Sequence, residues 1–340
     1  MTPNGGDLRS ALVQAPASTG ILPNGLCDMQ LPKRWFDRRI YEYLAVNLGA
    51  RFYRAAPILV YQMGRVGSSS VRNALLRSHA RETRLVFMSH EFYPVRNRNT
   101  AQVAPDDPHR AAILQEVAHA QKVFRQLSWR KKFGLLFREK LYSEMIYRNI
   151  VARQRPIKVI TLVREPIGNN ISMFFQVFAQ YAGPQRDMGG YGMHELIELF
   201  LNDYLHSRPL TWFDVELKST LGIDVYEHSF PKEAGYLAVS RENVDLLVLK
   251  CELSDALKEQ AISRFLGIDD FTITRSNVTA RKATARTYEE FTKAIQLPDS
   301  YIDTMYGSKY AQHFYGEQEL AQFRHRWQGK TLPQESGERP

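Results

Sequence analysis

Apolar positions along this chain follow two alternating rhythms. Short apolar runs read as strands: one opening at Ile58, then RLVFMS at 84–89, IKVITLV at 157–163, GIDVY at 222–226 and DLLVLK at 245–250. Between and after them, apolar residues recur at three- and four-residue spacing and predict helices. These cover the segment holding Val71, Leu75 and Leu76, much of 111–155, the segment opening at Pro166, and 194–205, 212–221 and 254–266; Gly267 serves as a stop for the last. Three more fall near 288–295, 301–310 and 318–327. IKVITLV is almost continuously apolar, as in a strand buried on both faces. Strands alternating with helices predict an α/β fold built on a mainly parallel central sheet flanked by helices.

The polar stretches set the boundaries. Residues 1–30 are rich in Gly, Pro, Asn and Ser and read as a flexible tail, as does 329–340, leaving 31–328 as a single α/β domain. Lys33–Ala56 has the pattern of a basic amphipathic helix, with Phe36, Ile40 and Leu44 on one side; it either packs on its own domain or lies on an anionic membrane. Polar 97–108, Gly-rich 183–192 and basic 275–286 read as loops.

Charge narrows the partners. A net charge of +9 calls for something anionic: nucleic acid, an anionic membrane, a nucleotide or an acidic glycan. The basic stretch 122–148 carries Trp129, Phe133, Phe137, Tyr142 and Tyr147, which are expected in the core, and no nucleic-acid-binding motif accompanies them. Two cysteines, Cys27 and Cys251, far apart and without metal-ligand spacing, indicate neither a disulfide framework nor a zinc site. No apolar run reaches the roughly 18 residues of a membrane span, and the N-terminus lacks a signal-peptide pattern. A cytoplasmic protein is expected, with peripheral membrane contact as the alternative left by the basic helix. The sequon-like NIS at Asn170 and NVT at Asn277 are read as chance matches.

Two strand-to-helix turns carry candidate chemistry. In the first, GRVGSSS at 64–70, Gly64 and Gly67 permit a tight turn and Ser68, Ser69 and Ser70 open the helix. Backbone N–H groups and the positive end of the helix dipole then converge as an anion site. It is not a Walker A loop, since two residues separate its glycines and its cation, Arg65, precedes the second. In the second, VREPIGNNIS at 163–172, Arg164 ends a strand, Pro166 starts a helix and Ser172 follows eight residues after the arginine. A ligand with two separated phosphate-like groups would use both.

This ordered pair resembles the sulfotransferase superfamily, which uses 3′-phosphoadenosine 5′-phosphosulfate (PAPS). GRVGSSS is similar to the family's loop for the 5′-phosphosulfate, and Arg164 and Ser172 fall on its RxPxxxxxS pattern for the 3′-phosphate. GIDVY, LLVLKCELSD and SKYAQHFYGEQELAQF also look like the carbohydrate-modifying, capsular-polysaccharide-type branch. The resemblance implies a three-layer P-loop-type fold over about 58–327. It also implies Arg65, Val66, Gly67, Ser68, Ser69, Ser70, Arg164 and Ser172 as the nucleotide site, no metal, and a polysaccharide or glycolipid acceptor rather than nucleic acid. Basic C-terminal loops close over the nucleotide in the family, which points to Arg281 and Lys282.

Many members carry Lys where this chain has Arg65. Arginine keeps the charge without giving up its proton, so Arg65 would stabilise the departing phosphate electrostatically. His90, at the end of the second predicted strand, suits a base near neutrality, with Glu91 as runner-up. Two other functions remain: a nucleotide-dependent kinase, disfavoured by the missing Walker Lys, and a non-catalytic binder of anionic glycans or membranes.

Overall fold

The computed structural model describes residues 55–80, 84–92, 109–126, 128–129, 142–181, 188–274 and 282–328, which all fall in one compact unit. The N-terminal tail, nearly all of the basic helix at 33–56, the loop at 97–108 apart from its neighbour His109, the C-terminal tail and Arg281 lie outside these residues.

Five strands form one sheet in the order β2-β1-β3-β5-β4. They are β1 (Ile58–Tyr61), β2 (Val86–Ser89), β3 (Ile157–Val163), β4 (Tyr236–Arg241) and β5 (Val244–Lys250). All neighbours are parallel except β4 with β5. The α/β class and the mainly parallel sheet expected from the sequence are therefore present. β3 lies at the centre and is buried on both faces, as its apolar run predicts. Of its two polar residues, Thr161 is fully buried and Lys158 faces its register partner Asp245 on β5 at 3.1 Å.

Each predicted strand–turn–helix unit is present. β1 leads to α1 (Ser68–Leu75), which packs on β2. Then come α2 (Arg110–Gln126) and α3 (Tyr142–Ile146), the latter running on as a π-helix over Tyr147–Val151. β3 leads to α4 (Pro166–Val177), which opens on Pro166 and is capped by the Glu165 carboxylate, an acceptor for Gly168 N–H. Next are α5 (Met193–Glu198, continued over Leu199–Asp203) and α6 (Arg208–Trp212, continued over Phe213–Lys218). After β5, α7 (Asp255–Leu266) starts on Ser254, whose hydroxyl accepts from Leu257 N–H, and stops at left-handed Gly267. The chain closes with α8 (Lys282–Ala294), α9 (Asp299–Tyr306), α10 (Lys309–Phe314) and α11 (Glu317–Trp327). α4 packs against α6, α8 and α9, and Phe174 on α4 meets Phe200, Tyr204 and Phe291 edge-on or tilted, at centroid distances of 5.4 to 6.0 Å.

Three expectations are corrected, and one strand was missed. Basic 275–286 was expected to be a loop, but the residues from Lys282 on open α8, while 275–281 lie outside the described residues. GIDVY is not a strand: Gly222 turns left-handed at φ 72°, and the Asp224 carboxylate accepts from Tyr226 N–H to close a 3₁₀ turn over Val225–Glu227. Ile223 and Val225 are both buried, so a turn pressed onto the core imitates strand alternation. β4 was not foreseen, because its hairpin to β5 turns on Glu242 and Asn243, a pair lacking the usual glycine; Glu242 takes φ 52°. Trp129, expected in the core, is 72% exposed. Asn170 is fully buried, consistent with a chance sequon.

Candidate functional site

Between β1 and β3 the sheet changes direction: β1 continues to β2 on one side, and the chain then crosses to β3 on the other. In open α/β sheets, loops at the carboxyl ends of the two strands flanking such a point part and leave a crevice. Here those loops are 62–67 and 164–165.

The first loop needs unusual backbone angles. Gly64, Arg65 and Gly67 take φ of 99°, 56° and 81°, left-handed values that glycine adopts freely and arginine seldom does. Side chains from three elements hold this shape. Gly64 N–H donates to Gln62 Oε1 (2.7 Å), and Asn169 Nδ2 of α4 donates to Gly64 O (2.9 Å). Arg208 Nε of α6 donates to Met63 O (3.2 Å), and Arg164 donates to Arg65 O (2.9 Å). The carbonyls of Met63, Gly64 and Arg65 are thus each held by a side-chain donor. Ser68, Ser69 and Ser70 are the first three residues of α1, whose opening N–H groups have no acceptor within the helix; Ser70 N–H turns to Gly67 O (3.2 Å). Val66 and Ser68 are buried, while Arg65, Gly67 and Ser69 are exposed.

The second loop joins the first directly. Arg65 Nε donates to Ser172 Oγ (2.8 Å) and its terminal nitrogen to Gln176 Oε1 (3.4 Å). Ser172 is buried, not a surface hydroxyl. Burial, and then the charge of Arg164, lower the Arg65 pKa, with Tyr288 acting the other way. Two guanidinium groups held this close favour an anion between them. Arg164 does not pair with Glu165, whose carboxylate turns inward to Gly168 N–H, Tyr306 O–H and Trp327 Nε1–H (3.0 Å). Burial pushes the Glu165 pKa up, and the hydrogen bonds from Tyr306 and Gly168 pull against it.

His90 lies against the same loop. Its Nδ1 is 2.8 Å from Gln62 Nε2 and 3.2 Å from Gln62 O, and its carbonyl accepts from Trp212 Nε1–H (3.1 Å). Glu91 is ion-paired with Arg208 (2.6 Å). Burial alone would lower the Arg208 pKa, but Glu91, Glu116 and Glu216 outweigh it and hold the guanidinium charged. The neighbouring carboxylate thus forms a structural pair that ties the strand end to α6, while the imidazole faces Gln62.

Beside Arg164 lies a cavity of about 410 Å³, bordered by Gly168, Cys251, Tyr288, Thr292, Arg326 and Trp327 among others. Cys251 sits at its edge; an atom added at Gly67 Cα would stand 3.5 Å from its sulfur. Burial raises its thiol pKa. Of the basic C-terminal pair, Lys282 begins α8 and its side chain is not described. Among the described residues no group of three or more His, Cys, Asp and Glu is arranged to hold a metal.

The structure therefore brings Arg65, Arg164, Ser172 and the opening of α1 into one cluster, with His90 one residue away through Gln62. Gln62, Asn169, Gln176 and Arg208 were not singled out in the sequence. Four of the missed or partly read contacts share a pattern: Asn169, Ser172, Met173 and Gln176 stand at i, i+3, i+4 and i+7, one face of α4 laid against the loop.

Residues 191–316 match the family model NKWYS, described as "putative capsular polysaccharide synthesis protein". The match connects this part of the chain to capsular polysaccharide synthesis. It covers α6, whose Arg208 and Trp212 hold the loop and the His90 carbonyl, but neither GRVGSSS nor VREPIGNNIS. No curated protein and no solved structure matched the chain.

Proposed function

We propose that this protein transfers a sulfuryl group from PAPS to a hydroxyl of a carbohydrate, as part of a polysaccharide or glycolipid. One observation carries the reading. The two turns that resemble the phosphosulfate and 3′-phosphate motifs, nearly 100 residues apart in the chain, meet through Arg65–Ser172 and Arg164–Arg65 at the β1/β3 crevice. The polysaccharide acceptor draws support from the family match and from the +9 charge.

In this reading the amides of the loop and the start of α1 hold the 5′-phosphosulfate, with Arg65 at the bridging oxygen. Arg164 and Ser172 take the 3′-phosphate, and the cavity beside Arg164, walled by Tyr288 and Trp327, takes the adenosine. His90 removes the proton of the acceptor hydroxyl as its oxygen forms the new bond to sulfur. The bond from sulfur to the leaving phosphate breaks, and Arg65 stabilises the charge that develops there.

The test is transfer of radiolabelled sulfate from PAPS to capsular-type polysaccharides and glycolipids. His90→Ala is expected to leave affinity for adenosine 3′,5′-bisphosphate within a few-fold while turnover falls about 10²-fold or more. Near wild-type turnover in that variant would remove His90 from the chemistry. Glycan binding without any transfer would favour a non-catalytic binder.

A further inference from the structure

Gln62 has no part in the anion motif, yet it is 1% exposed and touches both the loop and His90. Its amide orientation is fixed by chemistry. A backbone N–H only donates, so the atom 2.7 Å from Gly64 N is the side-chain oxygen, and the other end is NH₂. That NH₂ stands 2.8 Å from His90 Nδ1. Two donors cannot share this contact, so Nδ1 offers its lone pair and the neutral ring carries its proton on Nε2. The main-chain carbonyl of the same residue, 3.2 Å from Nδ1, is the partner for the opposite tautomer.

We propose that Gln62 is a positioning residue that sets the tautomer of His90, holding it with Nδ1 as acceptor and Nε2 protonated while its own side-chain oxygen is engaged by Gly64. The catalytic consequence rests on the sulfuryl-transfer reading; the tautomer does not. For Nε2 to take a proton, the ring must first pass to the Nδ1–H form. That form is stabilised by the Gln62 carbonyl once the side-chain amide lets go. The bond that must break is Gln62 Nε2–H to Nδ1, and the other end of the same amide is held by Gly64 N–H, in the loop proposed to grip the phosphosulfate, so occupancy of the loop and readiness of the base are linked through one side chain.

The experiment is ¹⁵N NMR of the full-length protein labelled on histidine, with the His90 signals assigned by their loss in His90→Asn. In the ligand-free wild type, neutral His90 should show Nδ1 as a pyridine-type and Nε2 as a pyrrole-type nitrogen. Gln62→Glu retains an acceptor for Gly64 N–H but presents only oxygen to the ring, and it should reverse the two. A wild-type ring protonated on Nδ1, or a folded Gln62→Glu protein with the wild-type pattern, would overturn the proposal. Failure to bind adenosine 3′,5′-bisphosphate would remove the sulfuryl-transfer reading and leave the tautomer result standing.

Discussion

His206 shows how firmly this interior sets protonation at single residues. Its Nε2–H donates to Phe200 O (2.8 Å), and its Nδ1 lies 2.9 Å from Tyr301 O–H, a pairing that suits the neutral ring. Burial lowers its pKa to about 4, against a weaker opposing effect of the Phe200 carbonyl. The unfolded chain, with a histidine near 6.5, then binds more protons than the folded one between these values, so stability rises with pH across that window. Urea denaturation should find roughly 3 kcal/mol lost on acidification from about pH 6.5 to about pH 4, and a His206→Gln variant should lack that component. An unchanged pH slope in the variant would assign the loss elsewhere. Arg65 makes a related point: it reaches Ser172 with one nitrogen and Gln176 with another, a division that a lysine cannot reproduce. That Arg65 and Ser172 each belong to a strand-to-helix unit was legible from the sequence, but their direct bond was not, because it depends on how β1 and β3 sit side by side.

Among the elements, α4 does most to shape the site. Its face of Asn169, Ser172, Met173 and Gln176 lies on the loop, while Phe174 on another side anchors the aromatic core. Asn169→Ala would leave Gly64 O without its buried donor. It is expected to cost about 1–3 kcal/mol in urea denaturation and to weaken binding of adenosine 3′,5′-bisphosphate. Wild-type stability in this variant would mean that the loop keeps its shape without α4. The strand and helix bounds of β3 and α4 could be read from IKVITLV and Pro166 because burial and capping there are local properties. β4 and the turn at 222–226 could not. The hairpin turns on Glu242 without a glycine signal, and the alternation of Ile223 and Val225 reflects contact with the core rather than pairing.

For the whole molecule, topology decides where the chemistry is placed. Crossing from β2 to β3 sets the loops after β1 and β3 side by side, and α6, within the segment matching the capsular polysaccharide model, braces both the loop and His90. In the proposed function these two loops together grip one ligand with two anionic ends. Calorimetry tests it most directly, with adenosine 3′,5′-bisphosphate and adenosine 5′-monophosphate titrated without Mg²⁺ into the wild type and Arg164→Ala. The bisphosphate should bind the wild type more tightly, and Arg164→Ala should remove about 10- to 100-fold of that preference, as expected for a charge-assisted hydrogen bond. No binding of the bisphosphate, or an equal loss of affinity for both ligands, would contradict the account.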